Sequence, residues 1–186
     1  MKKIIYIIIF NLIFILSINA KNHNLVQVTE LNKLFDDLSK INNAQDGDVL
    51  EKKIWAVWNK HPNKNILSEK LEFGTKLMYK GQYEYALKIF TNIIETDPEW
   101  SEAWNKRATL LFLMKDYQKS LDDISKVLYL EPRHFGALSG RAQIYIDLEL
   151  YQEALKDLQD AKKIHPVIRG NKLINELEKL INGENV

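Results

Sequence analysis

Three prolines, Pro98, Pro132 and Pro166, stand 34 residues apart, and three other columns keep the same interval. These are Tyr83, Tyr117 and Tyr151, then Ala86, Ser120 and Ala154, then Gly74, Ala108 and Ala142. Self-similarity at a fixed period of this length marks a stack of like supersecondary units, which constrains the chain more than its composition does. Within each unit two amphipathic stretches flank a short break such as Lys80-Gly81-Gln82 or Lys115-Asp116, the pattern of helix, turn and helix. Small side chains in both helices allow close approach, and an aromatic fills the joint. Proline ends the second helix because it lacks an N–H and disfavours helical geometry in the residue before it. One pair of helices cannot cover both its faces, so neighbouring pairs must complete the core.

These units resemble tetratricopeptide repeats. Taken to end two residues past each proline, they run over 67–100, 101–134 and 135–168. The second carries Trp104, Ala108, Tyr117 and Pro132; the first Gly74, Tyr83, Ala86, Phe90 and Pro98; the third Ala142, Tyr145, Tyr151, Ala154, Ala161 and Pro166. The resemblance spans 102 of the 186 residues. It implies an all-α fold, a right-handed solenoid of three helix-turn-helix repeats, that holds a protein or peptide partner without a metal or small-molecule cofactor. By the family's register the concave groove offers Leu71, Glu72, Thr75, Met78 and Tyr79 from the first repeat, and Asn105, Lys106, Thr109, Phe112 and Leu113 from the second. The third adds Gly136, Ser139, Gly140, Gln143, Ile146 and Asp147. Asn105 and Gln143 can each donate to and accept from a peptide backbone. A subgroup of the family clamps a terminal carboxylate with lysine, asparagine and arginine. Here Leu71, Thr75, Gly136 and Gly140 stand at four of those places and Lys106 at a fifth, which disfavours such a clamp.

Departures from the family pattern carry their own expectations. Lys70 takes a place that prefers an apolar residue, and its stem can snorkel over an incomplete interface. Arg107 and Arg141 replace a usual leucine, and are expected either to pair with acids such as Asp122, Asp123 or Asp157 or to meet a ligand carboxylate. Gly136 and Gly140 lie one turn apart on the groove side, where glycine costs about 1 kcal/mol relative to alanine in a helix. Either helix-start geometry and tight packing explain them, or they form a bare shelf for a ligand backbone, bordered by Arg133, His134 and Phe135.

Residues 21–66 read as an N-terminal helical hairpin. Leu31, Leu34, Phe35, Leu38 and Ile41 share one face of its first helix. Its second is expected to begin at Asp48, with Glu51 completing a capping box, and to carry Ile54, Trp55, Val57 and Trp58. The pair is expected to cover the open end of the solenoid and bury its tryptophans, since repeat arrays need capped ends. At the other end, over 169–186, Leu173, Ile174, Leu177, Leu180 and Ile181 form an amphipathic capping helix.

Met1, Lys2 and Lys3 precede an uncharged, largely apolar run from Ile4 to Ala20, which reads as an export signal over 1–20 cut after Ala20. The alternative is an uncleaved anchor, since 17 residues reach the lower edge of a membrane span. Either form places the rest beyond the membrane, in a bacterial periplasm or tethered to the inner membrane. Without that segment 24 basic residues face 25 acidic ones, too even a balance for nonspecific nucleic-acid binding. Absence of cysteine excludes disulfides, thiol nucleophiles and cysteine–zinc sites. His23, His61, His134 and His165 are scattered, and no metalloprotease, phosphate-loop, dinucleotide or serine-elbow motif occurs. The function expected is therefore an exported, non-catalytic adaptor for a segment of an envelope protein. A membrane-anchored subunit of an envelope complex and an envelope enzyme with a site built across helices are the alternatives.

Overall fold

In a computed structural model, residues 25–183 are described, and they form nine helices and no strand. In chain order these are α1 (25–39), α2 (Ala44–Trp58), α3 (Asn65–Tyr79), α4 (Tyr83–Thr96), α5 (Ser101–Leu113), α6 (Tyr117–Leu130), α7 (Phe135–Asp147), α8 (Tyr151–Ile164) and α9 (Asn171–Ile181). The expected export signal and His23 lie outside the described residues, none of whose helices is long and apolar enough to cross a membrane.

The 34-residue columns act through local geometry. Gly81, Lys115 and Glu149 take left-handed φ values of 73°, 64° and 61° at the three intra-repeat turns. After each, a backbone N–H reaches back five residues: Gln82 to Leu77, Asp116 to Leu111 and Leu150 to Tyr145. This ties off carbonyls that the ends of α3, α5 and α7 would leave bare. Asp97, Glu131 and His165, the residues before the three prolines, leave the helical region and end α4, α6 and α8. Where the small columns meet, packing is tight. A Cβ on Gly74 would lie 2.7 Å from the Phe90 ring, and Ser120 Oγ donates to the Ala108 carbonyl at 2.8 Å.

Helices α3 and α5 touch, as do α5 and α7, whereas α4, α6 and α8 lack comparable contact with one another. The array therefore curves with α3, α5 and α7 on its inner side. Arg107 and Arg141 brace it from within as two-pronged pairs with Asp123 and Asp157 at 2.7–2.8 Å, so they are structural. Lys70 stays exposed and donates to Asn92. Helix α9 lays Ile174 and Leu177 on Ala142, Ala154 and Leu158 of the last repeat.

The N-terminal hairpin departs from expectation in two respects. Its second helix starts at Ala44, capped by Asn43, whose side chain accepts the Asp46 N–H. Glu51 is drawn instead to His165 and Trp55, so the expected capping box at Asp48 and Glu51 does not form. Nor does the hairpin cover the open end. Leu31, Phe35, Leu38, Ile54 and Trp58 share a core with Phe135, Leu138 and Ala161 of the third repeat. The outer side of α3 is left with Ile66 58% and Phe73 57% exposed.

Candidate functional site

Helix α2 runs against the repeat order, across the N-terminal halves of the inner helices. At the third junction Glu51 accepts from His165, Asp48 pairs with Arg169, and Gly47 packs so tightly that a Cβ would collide with Val167. At the second, Trp58 stacks on His134 with ring centroids 4.0 Å apart, and Trp55 lies edge-on to both His134 and Phe135. Arg133 reaches Asn32 of α1 at 2.8 Å. At the first, His61 bonds Asp97, and Trp100 Nε1 donates to the Trp58 carbonyl.

Three histidines that look scattered in the sequence thus pin one element to three junctions. Their signal was legible only as adjacency to junction prolines: His61-Pro62, His165-Pro166, and His134 two residues past Pro132. His61 Nδ1 accepts the N–H groups of Asn63 and Lys64, so Nε2 carries the hydrogen donated to Asp97. His134 Nδ1 accepts the Ala137 N–H and Nε2 donates to fully buried Glu102 at 3.1 Å.

Burial, partly opposed by Asp97, holds the His61 imidazole below its ordinary value of 6.5. Burial alone would raise the Glu102 carboxyl, but the His134 hydrogen bond and the Lys106 charge outweigh it and hold it below 4.5. In both cases the unfolded chain takes up a proton that the folded chain resists, so both contributions are lost as pH falls. Urea melts are expected to keep a constant midpoint down to about pH 6.5, then decline, with a further loss below about pH 4.5 as Glu102 titrates. A midpoint that rises into acid would contradict the neutral, buried His61.

The groove residues read from the sequence separate into groups. Leu71 and Met78 are buried in the first repeat's core, while Tyr79 is 81% exposed beyond it. Thr75 bonds its own helix, and with Leu71 and Glu72 it faces Ala56 of α2 and Asn59 and Lys60 just past its end. Lys106 is tied to Glu102 at 2.9 Å and sits 5.5 Å from the Trp55 ring centre. Ile146 packs into the third repeat, and Asp147 accepts from Tyr117. Around one open space the structure gathers Asn105, Thr109, Phe112, Gly136, Ser139, Gly140 and Gln143, lining a cavity of about 310 Å³ between α5 and α7.

The two glycines differ. A Cβ on Gly136 would lie 2.5 Å from the Trp55 ring, so this part of the shelf is roofed by the chain's own side chain. A Cβ on Gly140 would meet nothing within 4 Å, which removes tight helix packing as its explanation. Among the described residues no cluster of histidines and carboxylates is arranged to hold a metal ion.

Residues 79–161 match the family model described as anaphase-promoting complex, cyclosome, subunit 3. A TPR repeat-containing protein of Rhizobium etli is 30% identical over 94 residues, covering 50% of this chain and 46% of that protein. The chain thus spans less than half the length of that relative. The first TPR of Spaghetti (RPAP3), solved with an HSP90 peptide, superposes with a TM-score of 0.59 at 20% identity, over 62% of this chain and 93% of that one. The Arabidopsis OM64 TPR domain gives 0.57 at 20% identity, over 65% and 98%. The TPR2B domain of yeast Sti1, in complex with pHsp70, gives 0.53 at 24%, over 62% and 93%. At such identities the solved structures bear on the fold alone. Phased columns, the stacked hairpins they build and these likenesses together give the chain a tetratricopeptide-repeat fold.

Proposed function

We propose that the chain is a non-catalytic scaffold that holds a peptide segment of another protein in the groove between α5 and α7. The observation that carries this reading is the open, uncharged cavity beside Gly140, where the helix accepts a glycine that packing does not demand. The Spaghetti and Sti1 domains, solved with an HSP90 peptide and in complex with pHsp70, support the class of ligand but not its identity. With the basic and apolar segment over 1–20, the reading extends to an exported adaptor for an envelope protein. N-terminal sequencing of the exported product tests the address: a start at Lys21 means release, and Met1 means a membrane-anchored subunit.

Gly140 tests the groove. Gly140→Ala is expected to stabilise the free protein by about 0.5–1 kcal/mol, because alanine is the better helix former and its methyl group has room. Gly140→Leu is expected to fold and to weaken peptide capture by filling the cavity. Thermal melts paired with binding to a peptide array check both. A stably folded Gly140→Leu protein with undiminished capture would remove this groove as the site.

A further inference from the structure

The cavity between α5 and α7 does not end at the solenoid. A second cavity of about 430 Å³, walled by Lys52 and Trp55 of α2 on one side and α7 on the other, shares Gly136 and Ser139 with it. The two adjoin as a slot stepped at the glycine shelf, where the Trp55 ring packs directly on Gly136 and leaves no passage beneath it. Resting on the peptide-holding reading above, we infer that α2 is a fixed wall of the binding site. Trp55 contacts the ligand there, and the ligand is an uncharged, extended segment of a partner that seats one apolar side chain beside Phe112.

Three observations carry this. Helix α2 is built to stay, because Trp58 and Ile54 are buried in a core shared with Phe135 and Ala161, so a ligand need not expel it. Trp55, by contrast, is only partly buried and borders the slot, which leaves a rigid aromatic face of the kind that anchors interfaces. Finally, the second cavity sets Asp48 and Glu51 against Lys52 and Arg169, whereas the α5–α7 cavity has no charged side chain in its lining, and Lys106 of α5 is already paired with Glu102. A terminal carboxylate seated there would find no counter-charge and lose its water. The amide nitrogens of Asn105 and Gln143 are bonded to Glu102 and Asp147. Their oxygens are thereby left to accept, which suits the N–H groups of an extended backbone.

The test uses the protein labelled with 5-fluorotryptophan, whose Trp55, Trp58, Trp100 and Trp104 give four fluorine resonances. Trp55→Phe assigns the first. Probes are short peptides blocked at both ends, uncharged and with a central leucine or phenylalanine, and the same sequences with free carboxyl ends. Expected are binding of the blocked peptides, a shift of the Trp55 resonance with Trp58 unmoved, and at least about tenfold weaker binding by Trp55→Ala with its helix content retained. If Trp55→Ala unfolds, the fluorine shifts still decide. Movement of Trp55 and Trp58 together would mean that α2 is expelled, and the wall is then wrong. Exclusive binding of free-carboxylate peptides would overturn the uncharged ligand while leaving the peptide-holding reading intact. Binding of neither kind would overturn that reading and this one with it.

Discussion

Replacing Trp58 with alanine is expected to cost about 3–5 kcal/mol, the range for emptying a large buried aromatic site. The indole is 3% exposed, stacks on His134 and touches the rings of Phe35, Trp55 and Phe135, at centroid distances from 4.0 to 5.8 Å. Contacts so numerous do not re-form around a methyl group. For a domain of this size the loss corresponds to a melting temperature lowered by on the order of 10 °C. Because the ring joins the hairpin to the array, hydrogen exchange is expected to show α2 losing protection before α5 and α6. Trp58→Phe separates ring from N–H: the buried Nε1 has no partner among the described residues, so phenylalanine is expected to cost far less than alanine. An alanine variant that melts with the parent protein would show that the hairpin does not depend on this core.

Glu102→Ala is expected to be comparably severe, about 3–5 kcal/mol, because removing one member of a buried charged cluster strands the others. Glu102 is wholly buried and takes hydrogen bonds from His134, Lys106 and Asn105. Its loss leaves the His134 Nε2–H facing a void and frees Lys106 to swing toward the slot. Glu102→Gln keeps the shape and one acceptor, and is expected to cost roughly 1–3 kcal/mol. Chemical denaturation of the three proteins at neutral pH should rank them parent, glutamine, alanine. Equal stability of parent and alanine variant would mean that the cluster contributes nothing to the fold.

The repeats are legible in the sequence because their packing is local. Each arginine of the inner helices meets an aspartate 16 residues on, twice over, so the pairs of Arg107 and Arg141 follow from the period itself. The hairpin is a different case. Its partners lie in another repeat, and the contacts that seat it are aromatic rings on imidazoles, which no hydrophobic pattern within α2 announces. Glu51 shows the competition directly: a local rule offers it as the closing residue of a helix cap, and a histidine 114 positions away takes it. Gly136 and Gly140 were visible as violations of helix propensity. What separates them, the Trp55 ring over one and open space over the other, depends on where α2 lands.

The placement of α2 also sets an order of events during synthesis. Helices α1 and α2 leave the ribosome before the surfaces that cover them exist, since Asn32 waits 101 residues for Arg133 and Glu51 waits 114 for His165. At ordinary elongation rates that is on the order of 5–20 s during which the apolar sides of the hairpin have no permanent cover. Each repeat can close on its predecessor as it emerges, but α1 and α2, made before the repeats, are seated only once the third repeat is in place. A nascent chain stopped short of Phe135 carries an orphaned hairpin, and the contacts that bury it then serve as a check that the array was finished.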